Sequence, residues 1–370
     1  MSAPRKVVMV STSYPRSGDD WQGLFIRKIA AAVASRNNLQ LGIWAPDGPR
    51  EDAIEYLCSE GDIAWLQKLT DAGGIAHRLR SSPLSGGLQA VSLLRRLRGL
   101  YRREMADTDL FHINWLQNAV PLYGLGAQAV VTVLGSDYQL LSLPGMVRLL
   151  RGVFQSNHCI LAPNADWMVA GLRSRFGDVA EVRAVNFGID RPWFEIEPAV
   201  TDPVSNWLCV IRVTEAKVGP LFEWGGQFFN NNRQLHLIGP NQGNLAIPRW
   251  VNYHGSLPAS ELLDTWYPKA TGFITLSQHA EGKPQVLLET LAAGLPVIAS
   301  DISAHREIID PGKHGYLVNS QEEFGAALQR LSDPEVHGAM SMQCREDARR
   351  LYGSWDDCAD RYCELYEELQ

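Results

Sequence analysis

Residues 273–300 read "FITLSQHAEGKPQVLLETLAAGLPVIAS". "FITL" is a short apolar run with the character of a buried strand, and "SQHAEGK" is the polar loop beyond its carboxyl end. Pro284 suits the first helical position, where a missing N–H costs nothing. The pattern predicts a helix from about 285 to 293, with Gly294 as its C-terminal cap and Pro296 preventing continuation. "VIAS" is the next strand. A strand, a helix and a strand in this order make a parallel crossover.

Working outward, the same alternation fills the chain. "VVMVST", the helical "LFIRKIAAAVASR" and "LQLGIWA" form one unit near the start. After a less regular stretch (47–87), strands are expected at 110–114 ("LFHIN"), 130–134, 159–162 and 182–186. Residues 191–206 carry three prolines and no clean period, and read as a linker. Strands then return as "WLCVI", "LHLIG", "FITL", "PVIAS" and "YLV". The expected fold class is α/β, two Rossmann-like domains with parallel sheets facing a cleft. The expected boundaries are 1–190 for the first domain and 207–350 for the second. A terminal helix, 351–370, would pack back toward the first domain.

Composition bounds the function. The 370 residues suffice for two ordinary domains, and 45% hydrophobic with 20% charged content is that of a water-soluble globular chain. The net charge of −7 is uneven: +3 over residues 1–190 and −10 over 191–370. That balance argues against a nucleic-acid partner. Val7–Val10 is too short an apolar run for a signal peptide or span. The six scattered cysteines form no CxxC and suggest free thiols in the cytoplasm. "DTD" (107–109) precedes a strand rather than following one, so no metal site is expected, and neither sheet opens on a dinucleotide fingerprint.

Glu289 poses the chemical question. Its neighbours Val286, Leu287, Leu288, Leu291, Ala292 and Ala293 predict a helix buried nearly all round, where an unpaired carboxylate is costly. Two partners answer this: an Arg or Lys in a buried ion pair, or the two hydroxyls of a vicinal diol. The amides around 285–287, at the positive end of the helix dipole, favour an anion. A diol beside a diphosphate describes a nucleotide. Glu281 is either a solvated loop residue or part of the same site.

The spacing of the two glutamates in "EGKPQVLLE", followed by "TLAAGLPVIAS", resembles the signature of family-four retaining glycosyltransferases, which have the GT-B fold. The resemblance covers the second half, where "VNYHGSLPASELLDTWYPKATGFITLSQHAEG" and "HREIIDPGKHGYLV" follow the family's order. It implies that Glu281 binds a donor-sugar hydroxyl and Glu289 the ribose diol. In "VIRVTEAK", Arg212 and Lys217 stand where the family neutralises the departing diphosphate, which is charge stabilisation without a metal or other cofactor. Gly282, Lys283, Val286 and Leu287 would complete the donor site.

The first half is more loosely similar. "TSYPRSGDDWQGLFIRKIAAAVA" resembles the family's first loop and helix, with Gly23 either a turn glycine or a point of close ligand approach. "VVTVLGSDY" resembles "VxTxHGSD", but Leu134 replaces the His, which would suit a donor lacking a hydroxyl there, such as a 6-deoxy sugar. Asp137 in that motif, with His112 and Asn114 nearby in the pattern, are acceptor- or sugar-side candidates; for His112 a structural role stands as the other reading. Arg95, Arg96, Arg98, Arg102 and Arg103, interleaved with Leu93, Leu94, Leu97, Leu100 and Tyr101, form either a packed helix with a solvated basic face or a contact for anionic membrane. Arg148 and Arg151 repeat the theme.

The resulting expectation is a metal-independent, retaining transfer of a sugar from a nucleoside diphosphate to a saccharide or lipid-linked saccharide, in the cytoplasm or at the inner membrane face. A nucleotide-sugar epimerase and a non-catalytic nucleotide-sugar-binding protein are the rival readings.

Overall fold

The computed structural model describes residues 4–18, 20–72, 82–197, 204–279 and 281–369. The chain forms two compact units, Met1–Asn186 with Trp355–Gln370, and Phe187–Ser354. Each is built on one parallel sheet, as the alternating pattern requires.

In the first unit the strands are β1 (Arg5–Val10), β2 (Leu39–Trp44), β3 (Ile54–Tyr56), β4 (Leu110–Asn114), β5 (Gln128–Val133), β6 (His158–Pro163) and β7 (Glu181–Val182), in spatial order β3-β2-β1-β4-β5-β6-β7. Every pairing is parallel. The order reverses between β1 and β4. That is the switch point at which open α/β sheets bind ligands, beyond the carboxyl ends of the strands. The expected strand over 182–186 shrinks to two residues. The stretch 47–87, expected to be less regular, contains helix Glu60–Asp71, started by a reciprocal capping box between Ser59 and Asp62.

Helix Leu24–Ala34 buries Ile26, Ile29, Ala30 and Val33 against the sheet. Its other neighbour is helix Trp355–Glu368. That helix turns Cys358, Ala359, Tyr362, Leu365 and Tyr366 inward at helical spacing. Its two buried tyrosines also find polar partners, Tyr362 with Thr132 Oγ1 at 2.9 Å and Tyr366 with His112 Nδ1 at 2.6 Å. The tail of the chain is thereby part of the first unit's core.

The second unit contains β8 (Ser205–Val210), β9 (Arg233–Ile238), β10 (Val251–Gly255), β11 (Gly272–Thr275), β12 (Val297–Ser300) and β13 (Gly315–Val318), in order β10-β9-β8-β11-β12-β13. Its switch point lies between β8 and β11. Within the stretch read as linker, residues 191–194 form a short helix and Ser205 and Asn206 already belong to β8, so ordered structure of the second unit replaces linker there; 198–203 lie outside the described residues.

Helix Gln285–Ala292 follows the expected course with two differences. Pro284 is the N-cap, in extended conformation (φ −64°, ψ 115°), rather than the first helical residue. The helix is also not buried all round: Leu287, Leu288, Thr290, Leu291 and Ala292 face inward, whereas Gln285, Val286 and Glu289 form a half-buried stripe. Its end is a Schellman motif, with the Leu295 amide donating to Thr290 O at 3.1 Å and that of Gly294 to Leu291 O at 2.9 Å. Gly294 has φ +77°, and a Cβ there would meet the Arg345 guanidinium at 2.3 Å. Helix Pro334–Leu351 packs over this one through Cys344 and Ala348.

Candidate active site

At the second unit's switch point, the loops leaving β8 and β11 are held together by backbone. The Gln278 amide donates to Ala216 O at 2.8 Å. Gly219, at φ +53°, passes so close to the Leu276 carbonyl that a Cβ would sit 2.0 Å from its oxygen. Any larger residue would push the loops apart. This proximity seats the Lys217 ammonium on the Glu281 carboxylate, with about 15% and 17% of the side chains exposed. Burial pushes the Lys217 amine below its ordinary value, Glu281 opposes that shift, and the Arg212 cation adds to it. Arg212 and Lys217, five apart in the chain, therefore share one place with the distant Glu281, and Arg212 is exposed to solvent.

Beneath the pair lies a polar relay absent from the sequence reading. Ser277 Oγ donates to Glu281 at 3.3 Å, Ser300 Oγ donates to Ser277 O at 2.5 Å, and His305 Nδ1 donates to Ser300 O at 2.8 Å. His305 is buried, and burial lowers its pKa. Short hydroxyl side chains at strand ends carry no recognisable spacing, and His305 lacks any metal-like companion in sequence. Among the described residues, no group of three His, Cys, Asp or Glu side chains could hold a metal ion.

Glu289 lies in the same helix that follows this loop, half-buried, close enough to Tyr267 to raise that phenol's pKa after burial has done so. Tyr267 packs beside it, its hydroxyl 3.2 Å from Thr290 Oγ1. The Leu287 amide, expected to be available to an anion, donates to Pro284 O at 3.1 Å. No side chain caps this helix N-terminus, where Val286 follows the buried Gly282 loop.

Lys283 departs from its expected role. Its side chain is 2% exposed and its ammonium is 2.6 Å from Glu307 and 5.2 Å from the centre of the Tyr352 ring. These contacts anchor the loop from below rather than aiming a cation outward.

In the first unit the sugar-side candidates His112 and Asp137 are held by framework contacts. His112 is fully buried, its ring nitrogens bonded to Tyr366 Oη and to Thr132 Oγ1 (2.9 Å), and burial pushes it down to about 3. Asn114 donates from Nδ2 to Val10 O at 3.2 Å, tying β4 to β1, while its buried Oδ1 has no hydrogen-bond partner among the described residues. Asp137 accepts the amides of Leu116 and Leu134, each at 2.8 Å; burial pushes it up to about 6 against those bonds. Leu134, in the place of the family His, thus has its backbone held by that carboxylate. Gly23, at φ +72°, is required by its own loop: a Cβ would lie 2.6 Å from Tyr14 N and 2.7 Å from Ser13 Oγ. That close approach accounts for the glycine without any ligand.

The basic helix spans Pro83–Glu104. Arg96 pairs with Asp62 at 2.7 Å, Arg98 donates to the carbonyls of Pro121 and Tyr123 at 2.7 Å, and Arg103 meets Glu104 at 2.8 Å. Arg95 and Arg102 remain exposed, as does Arg148, while Arg151 pairs with Asp178. Asp109 of "DTD" accepts the Lys6 amide at 2.6 Å, a strand-bracing contact. The six cysteines are free thiols. No helix among the described residues is long and apolar enough to cross a membrane.

The paired switch points define a GT-B chain, and comparison with known proteins agrees. Residues 227–333 match the family model of group 1 glycosyl transferases. A probable sucrose-phosphate synthase of Thermosipho melanesiensis is 32% identical over 100 residues, 27% of this chain and 23% of the relative. A D-inositol 3-phosphate glycosyltransferase of Thermobispora bispora is 30% identical over 147 residues, 39% of this chain and 33% of that protein. The chain thus matches only a quarter to a third of these relatives' length. In fold, it resembles sucrose-phosphate synthase from Thermosynechococcus elongatus with a TM-score of 0.71 at 15% identity, covering 99% of both chains. Anabaena HepE in complex with UDP-glucose gives 0.63 at 12% identity, over 98% of this chain and 99% of that one. The sequence match to group 1 glycosyl transferases thus lies within the second unit, and the fold of the whole chain is that of these GT-B structures.

Proposed function

We propose that the protein transfers a sugar from a nucleoside diphosphate to an acceptor hydroxyl with retention of anomeric configuration and without a metal. The observation that carries this is the seating of Lys217 on Glu281, beside Arg212, at the second unit's switch point. A bare cation cluster would serve any anion. A cation already shared with a carboxylate presents both a charge for the diphosphate and an acceptor for a sugar hydroxyl.

In the reaction the C1–O bond to the diphosphate breaks and the acceptor oxygen bonds to C1 on the same face. The acceptor proton passes to the leaving phosphate oxygen. Arg212 and Lys217 stabilise the charge that develops there. Glu281 orients the sugar, and Glu289 accepts the ribose diol. Thermal shifts with UDP-, GDP-, ADP- and dTDP-sugars test the donor site; no stabilisation by any of them at millimolar concentration refutes it. Full transfer activity in EDTA supports metal independence. The anomeric signal of the product in NMR reports retention, and an inverted product refutes it.

The acceptor is a saccharide, lipid-linked at an anionic membrane face. Leu84, Leu88 and Val91 stand exposed at i, i+4 and i+7 of helix Pro83–Glu104, and the exposed Arg95 and Arg102 continue that face. Apolar and basic side chains in one stripe suit an anionic lipid surface. Flotation with phosphatidylglycerol vesicles but not with phosphatidylcholine is expected, and its loss in L84S/L88S. Equal behaviour with both lipids removes the membrane reading.

A further inference from the structure

We propose that Trp115 is a stacking platform for the acceptor sugar ring at the first unit's switch point, an inference that rests on the transfer reading above. Trp115 follows the last residue of β4 with φ +69° and ψ 133°. A bulky residue at positive φ is a true outlier, and this ψ lies outside the left-handed helical basin as well. The only other non-glycine at positive φ among the described residues is Asn244, a type that tolerates it.

Three contacts enforce the conformation. The Trp115 amide donates to Thr132 O at 2.9 Å, its carbonyl accepts the Asn118 amide at 3.0 Å, and the next amide, that of Leu116, donates to Asp137 at 2.8 Å. A buried carboxylate, itself costly, is thus committed to holding a strained backbone. Strain maintained this way marks a position where the side chain's direction is useful.

Trp115 stands at the carboxyl end of β4, the ligand edge of the sheet. The indole is half-exposed, and its ring meets Phe25 edge-on, 6.2 Å between centroids at 68°. Phe25 follows the loop from β1, so the two aromatics bracket β1 and β4, the strands between which the order reverses. The residue before Trp115, Asn114, has a buried Oδ1 with no hydrogen-bond partner among the described residues. An edge-braced indole beside polar groups suits a sugar ring, which offers an apolar C–H face and hydroxyl edges. Phosphate would gain nothing from it.

The test uses the intact protein with maltose, cellobiose and lactose as probes, read by saturation-transfer NMR, and compares wild type with W115F and W115G. Glycine, without a Cβ, accepts this positive φ at the least cost. W115G is therefore expected to keep its thermal midpoint or raise it, yet lose disaccharide binding. W115F is expected to weaken binding by about tenfold, as for truncation of an aromatic anchor. Stabilisation by UDP-sugar, which reads the second unit, is expected to be unchanged in both. Disaccharide binding equal to wild type in W115G, or none to wild type at millimolar concentration, overturns the proposal. Loss of the UDP-sugar response in wild type instead refutes the transfer reading, and leaves the disaccharide comparison to judge Trp115 by itself.

Discussion

The ammonium of Lys217 rests on the carboxylate of Glu281, sixty-four positions later in the chain, because the β8 and β11 loops are clamped by Gln278 and Gly219. Each partner is mostly withdrawn from water, so each offsets the cost of burying the other. Removing one leaves the other poorly compensated, which makes the pair non-additive.

K217A and E281A are each expected to lower kcat/KM by about a hundredfold or more, the scale of losing a charge-stabilising group. The double variant should lose little beyond either single one. Initial-rate kinetics of all three measure this; strictly multiplicative losses would show that the two side chains act independently.

On the proposed reading, Glu289 accepts the ribose diol. E289Q should weaken UDP binding by about tenfold, in line with the loss of a charged hydrogen bond. The wild type should bind UDP better than its 2′,3′-dideoxy analogue, and E289Q should discriminate less. Calorimetric titration of both ligands decides the point; equal discrimination in the two proteins would move the ribose elsewhere.

The Lys283–Glu307 pair is expected to act on stability rather than on donor affinity. K283M takes the cation away from a nearly buried carboxylate and should cost about 3 kcal/mol, while K283M/E307L should recover most of it. Urea unfolding read from the second unit's tryptophans measures both. A K283M protein of native stability with poor donor binding would restore Lys283 to the donor site.

Acid should loosen the first unit through His112. Its folded pKa, about 3, lies below the ordinary 6.5, so the unfolded chain takes up a proton the folded one refuses. Its stabilising contribution is complete above pH 6.5 and is lost as pH falls from there toward 3, about 2 kcal/mol by pH 5. Asp137 runs oppositely: raised to about 6 from 3.8, it contributes most below 3.8 and loses that as pH rises through 6. H112Q should therefore flatten the acid limb. Amide exchange of β4 and β5, compared between variant and wild type at pH 7 and 5, reports it; an identical pH response would exclude His112.

The difference between legible and illegible features has a physical basis. "LFHIN" reads as a strand and is one, because five consecutive residues can be buried only between sheet neighbours. Glu289 shows the limit. Its apolar neighbours point to full burial, yet a helix of eight residues still has a stripe facing away from its sheet, and Glu289 lies on it. The contacts of Lys283 and Asp137 were not legible for one reason: both stand in polar motifs, but Glu307 and the amide of Leu116 come from other segments.

By itself the sequence determined the two parallel sheets, the helix that carries Glu289 and the set of charged residues available for a diphosphate. Periodicity and glycine or proline punctuation act over a few residues, so they survive in one dimension. Only the tertiary structure decided which charges meet. It put Lys217 on Glu281, turned His112 and Asp137 into framework, and held Trp115 at a backbone angle it would not adopt alone. Those outcomes depend on strand order, which brings β8 beside β11 and β1 beside β4 and has no local signature in the chain.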